Sequence, residues 1–125
     1  MRETVYASAR GDRINMPKFL VEATYSDEGL VGLRADGAAK RLRDIKAAAK
    51  SVGAKLESLY FSFGDSDVIL IVDAPDNVAA AAISVAATST GTVSLRTTPL
   101  LTIEEMDKAL ATVGKVKYRP AGGAE

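Results

Sequence analysis

The chain is 125 residues long, the size of a single domain, and its sixteen basic and sixteen acidic side chains cancel to a formal net charge of zero. That balance leaves no global field to draw it to nucleic acid or to an anionic membrane. The chain has neither cysteine nor histidine, which excludes thiol nucleophiles, disulfides, thiolate zinc sites, cysteine-ligated iron–sulfur clusters and histidine-ligated haem, and removes the commonest general base. Any metal would have to be a hard, oxygen-ligated cation.

Residues 1–15 show no sustained period and read either as a flexible extension or as sequence upstream of a true start at Met16. They contain no apolar core resembling a secretory signal, and the longest apolar run, Val68 to Val72, is too short to span a bilayer, so a cytoplasmic protein is expected. The domain is expected over 16–118, followed by a loop-like tail over 119–125. Phe19, Val21, Ala23 and Tyr25 alternate with Leu20, Glu22 and Thr24, the period of a strand. A helical stretch follows with Leu42, Ile45, Ala49 and Val52 on one side and Gly53 closing it; Gly29, Gly32 and Gly37 predict a break, with Asp36 capping the second piece.

Lys55 to Phe63 and Asp67 to Asp73 are two strand-type runs joined as a hairpin, with Gly64 free to take positive φ in a tight turn. A Gly64-Asp65 loop pairs Phe63 with Ser66 and places Leu59, Phe61, Val68, Leu70 and Val72 on one face. Asp76 is placed to cap the next helix, whose Val78, Ala82, Val85 and Ala86 form a stripe of small apolar residues. Thr92 to Thr98 is the fourth strand, ended by Pro99, and Thr102-Ile103-Glu104-Glu105 opens a last helix with a capping box. The order β-α-β-β-α-β plus a terminal helix predicts an α+β, ferredoxin-like sandwich with both main helices on one face of a four-stranded antiparallel sheet.

The other face would carry Leu20, Glu22, Thr24, Ser58, Tyr60, Ser62, Asp67, Ile69, Ile71, Ser94 and Arg96. Its apolar members are costly to leave in water and its polar members costly to bury unpaired, so a homodimer or higher homo-oligomer is expected to form through this face. Within it Glu22, Tyr60, Asp67 and Arg96 are the candidate ligand-binding residues, with Arg96 suited to an anion and a carboxylate to general base work; a structural ion pair with hydrogen-bonded hydroxyls accounts for the same residues. Asp65, Asp67, Asp73 and Asp76 are the acids from which a hard-cation site would be built, but turn, strand-end and cap roles explain them, and no metal or other cofactor is expected. Lys40, Arg41, Arg43, Lys46 and Lys50 form a basic cluster in which Lys40 and Arg41 lie near a possible helix N-terminus where an anion could dock; a solvated outer helix face accounts for the same residues.

Phe63-Gly64-Asp65-Ser66-Asp67-Val68, followed by Ile71-Val72-Asp73-Ala74-Pro75-Asp76, resembles the signature of the GYD-domain family. The similarity runs from about Pro17 to Tyr118 and takes in Asp27-Glu28-Gly29-Leu30, Gly53-Ala54-Lys55-Leu56-Glu57 and Thr97-Thr98-Pro99-Leu100-Leu101-Thr102. Gly64 and Asp67 match the Gly and Asp of the family name, while Ser66 stands where its Tyr would be. The resemblance implies a ferredoxin-like fold and a dimeric α/β barrel or similar assembly, and carries no activity with it. The expected function is a self-associating ligand-binding or sensing domain; the alternative is a cofactor-free enzyme, isomerase- or oxygenase-like, acting on a small organic substrate.

Overall fold

The computed structural model describes residues 16–123; the extension expected over 1–15 and the last two residues lie outside the described residues. The elements are β1 (Lys18–Tyr25), α1 (Asp27–Asp36), α2 (Ala38–Ser51), β2 (Lys55–Phe61), β3 (Val68–Asp73), α3 (Asn77–Thr88), β4 (Val93–Leu100) and α4 (Ile103–Thr112), with a 3-10 turn over Val113–Lys115. All strand pairs are antiparallel and the sheet order is β2-β3-β1-β4. This α+β topology is compatible with the ferredoxin-like arrangement. Among the described residues no helix is long and apolar enough to cross a membrane.

The core lies between the helices and one sheet face. Phe19, Val21 and Ala23 from β1 and Val68, Leu70 and Val72 from β3 are buried there, joined by Ala49, Ala74 and Ala79. Their alternation along each strand is the two-residue period expected, so the face assignment of Leu59, Phe61, Val68, Leu70 and Val72 holds, with Phe61 opposite Val68.

Four expectations need correction. The β2–β3 ladder stops at Phe61 and Val68, leaving a six-residue loop from Ser62 to Asp67 closed by the Ser62 N–H donating to the Asp67 carbonyl at 2.8 Å. In a loop of this length no residue must reverse the chain alone, and Gly64 is not among the glycines with positive φ. The break between α1 and α2 falls at Gly37, φ 87°, and Asp36 ends α1 instead of capping α2; its carboxylate accepts from Lys40 Nζ at 3.5 Å. β4 continues through Pro99, which sits opposite Phe19 on an outer strand whose far edge needs no amide donor.

The fourth correction concerns α3. Ala79, Ala80, Ile83 and Ala87 face the core, while Val78 and Val85 are 76% and 65% exposed. No charged residue lies between Asn77 and Thr88, so nothing in the sequence marks the solvent side.

The caps are formed as local chemistry demands. Ser26 Oγ accepts from Gly29 N at 3.2 Å, Asp76 Oδ1 accepts from Ala79 N at 2.9 Å, and Thr102 and Glu105 form a reciprocal capping box. Gly53, φ 76°, lies just past the α2 C-cap and donates to Lys50 O at 3.1 Å. α4 buries no residue of its own, and Ile103, Met106, Leu110 and Val113, spaced by three and four, leave a one-sided apolar stripe uncovered.

Candidate functional site

α2 and α3 pack on one side of the sheet and, among the described residues, the other side is left open; strand register orders that open face into rows. Tyr60, Ile69, Glu22 and Arg96 form one row, since Tyr60 is opposite Ile69, Ile69 opposite Glu22 and Glu22 opposite Arg96. Ser58, Ile71, Leu20 and Thr98 form the next. Of the four sequence-derived candidates, Glu22 and Arg96 meet, with Arg96 Nη2 3.6 Å from Glu22 Oε2. Tyr60 lies two strands from Glu22, about 10 Å at the usual strand spacing, and is 72% exposed.

Asp67 is engaged elsewhere. Its Oδ2 accepts from the Tyr25 N–H at 2.9 Å, and its own N–H donates to the Ala23 carbonyl at 2.8 Å. A carboxylate so placed completes the end of β1, where the ladder has run out of partners. Ser66 beside it is 4% exposed, and its carbonyl accepts the Ser62 hydroxyl. Phe63 and Gly64 project from the loop, Phe63 fully into solvent.

At the far end of the open face Lys18 Nζ donates to Glu57 and, at 2.9 Å, to Asp73 Oδ1. Asp73 and Asp76 thus serve an ion pair and a helix cap, and among the described residues no three acidic side chains gather as a metal site would require. The hydrogen bonds to Glu57 and then Asp73 raise the Lys18 pKa above its ordinary 10.5. A raised lysine pKa stabilises the fold fully below the unfolded value, about 10.4, and the contribution is lost as pH rises through the folded value. Lys18→Met is therefore expected to destabilise the protein at pH 8, by no more than about 1 kcal/mol for so exposed a pair, and to match the unsubstituted chain in urea midpoint at pH values above the folded pKa.

A second feature lies on the helix side. α2 packs on β2 and α3 on β4, at opposite edges of the sheet, leaving between them a cleft of about 340 Å³ floored by β1 and β3. Its walls are Ile45, Ala48 and Ala49 from α2 and Ala80, Ile83 and Ala87 from α3, and its rim carries Tyr25, Arg41 and Asp44. Arg41 Nε donates to Tyr25 Oη at 3.1 Å, with the guanidinium 6.0 Å from the ring centroid. The sequence gives Arg41 as one of five basic residues on a helix face and offers no signal that it borders a cleft; that follows from how far apart the two helices sit.

Fold and site together define a small α+β domain with one open sheet face and one helix-lined cleft. The chain belongs to the GYD-domain family, whose model matches residues 19–110. No curated protein and no solved structure matches it.

Proposed function

We propose that this GYD-domain protein is a self-associating domain whose copies pair through their open sheet faces into a dimeric α/β barrel, with the Glu22–Arg96 pair and Tyr60 lining a ligand-accessible seam. The supporting observation is the centre of that face: among the described residues no layer covers Leu20, Ile71 and Ile69 on the two middle strands. An antiparallel sheet tolerates one solvated face when that face is polar, and this one is apolar at its middle. Its charges are already matched in place, Arg96 by Glu22 and Lys18 by Glu57 and Asp73, so a second copy can approach without stranding an ion. Two-fold pairing presents the same patch from both sides and closes the assembly.

Sedimentation velocity at micromolar concentration is expected to report a dimer or larger. Ile69→Asp, at a position already 36% exposed, is expected to return a folded monomer. A monomeric unsubstituted chain overturns the reading. So does an assembly that survives Ile69→Asp but is broken by Leu110→Asp, since that result moves the contact to the stripe of α4.

A further inference from the structure

The cleft between α2 and α3 lies on the side of the sheet opposite the face assigned to self-association, so what it does is independent of that reading. Its floor residues Phe19, Val21, Val68, Leu70 and Val72 are each less than a tenth exposed, so the space between the helices is a narrow slot. Its volume of about 340 Å³ falls at the small end of the range for small-molecule sites, roughly 300–1,000 Å³. The interior offers methyl and aromatic carbon and few polar atoms. A buried water needs two to four polar partners, so the slot suits an apolar body better than solvent.

The charged groups of the lining, Arg41 and Asp44, lie together at one part of the rim beside Tyr25, while Ser51, Ser84 and Thr97 border the cleft elsewhere. Tyr25 occupies the Arg41 Nε and holds the guanidinium over the ring, and among the described residues no carboxylate lies within ion-pair distance of it. Two Nη groups, oriented by a neighbour and lacking an anion, are a fork matched to a carboxylate. Asp44 borders the same cleft three residues further along α2. Its charge opposes a second anionic group nearby and favours a monoanion.

We propose that this cleft binds a small, flat, hydrophobic monocarboxylate, its acid group on Arg41 and its body held between Ile45 and Ile83 above Leu70. The test is an amide-resolved NMR titration of the full chain with 4-phenylbutyrate and, separately, with its neutral carboxamide. Saturable shifts are expected at Ala48, Ile83 and Leu95, with the acid binding about tenfold more tightly than the amide, the worth of one charge-assisted hydrogen-bonded pair. Arg41→Gln is expected to bring the acid down to the affinity of the amide, and Asp44→Asn to tighten the acid alone. Ala87→Phe should abolish binding of both probes by filling the slot; if that variant does not fold, Ala48→Leu at the exposed mouth serves in its place.

Three results overturn the assignment. They are equal affinities for acid and amide unaffected by Arg41→Gln, shifts confined to Leu20, Tyr60 and Ile69 on the open face, or no saturable shift at millimolar probe. None of them bears on the sedimentation result, which reports the other face.

Discussion

Gly29→Ala is expected to cost about 3 kcal/mol and to lower the melting temperature by roughly 10–15 °C for a domain of this size. α1 enters so close to the start of β4 that a β-carbon on residue 29 would lie 2.1 Å from the Thr92 carbonyl oxygen and 2.9 Å from the Tyr25 ring. The first contact is with backbone, which cannot swing aside as a side chain can. The same carbonyl accepts from Ser26 N at 2.9 Å, and Ser26 is the N-cap of α1, so moving the helix outward to make room also strains its cap. Gly32→Ala, one turn along the same helix, is the matched control. A β-carbon there meets nothing within 4 Å, and the gain in helix propensity is expected to stabilise the protein by about 0.4–1 kcal/mol. Thermal melts of the two variants moving in the same direction would contradict the close approach of α1 and β4.

Asp67→Ala is expected to destabilise by about 1.5–3 kcal/mol, the range for losing a hydrogen bond to a charged acceptor and leaving a part-buried amide without one. The partner is Tyr25 N, 42 residues away in sequence, so the loss is felt at the junction of β1 with the hairpin. Asp67→Asn keeps a side-chain oxygen that can accept the same bond and is expected to lose about half as much. Asp65→Ala, two residues earlier on the exposed part of the loop, is expected to stay within about 0.5 kcal/mol of the starting stability. Urea midpoints and the exchange rate of the Tyr25 amide measure both effects. An Asp67→Ala protein of unchanged stability would remove the carboxylate from this role.

These cases show which parts of the molecule can be read from the chain and why. Local signals transfer well: the alternation of Phe19 to Tyr25, the caps at Asp76 and Thr102, and the glycine after α2 all act over a few residues and are realised as expected. The hairpin register is also legible, because Val68, Leu70 and Val72 must share the buried face. α3 fails for a definite reason: with no charge anywhere on it, Val78 and Val85 look as suitable for the core as Ile83 does. Pro99 misleads because a proline usually ends a strand, whereas an outer strand such as β4 tolerates one.

The candidate site is less legible than the fold. Glu22 and Arg96 can be paired once strand order is inferred, and they do meet. The resemblance matches Asp67 to the Asp of the family name, yet its side chain serves a backbone amide from a different strand, a contact that no local pattern encodes. The cleft is invisible in sequence since it is defined by the separation of two helices, and the alanines that make room for it look like ordinary core residues.

The placement of β1 has a consequence for how the chain is made. β1 is the first strand among the described residues and an inner strand of the sheet, flanked by β3 and β4. During synthesis both of its hydrogen-bonding edges stay unsatisfied until Val68–Asp73 and finally Val93–Leu100 have emerged. The native sheet therefore closes late and through long-range pairing, which slows folding. Until then Lys18–Tyr25 is an alternating apolar segment with two open edges, the stretch of the nascent protein most in need of shelter from other chains.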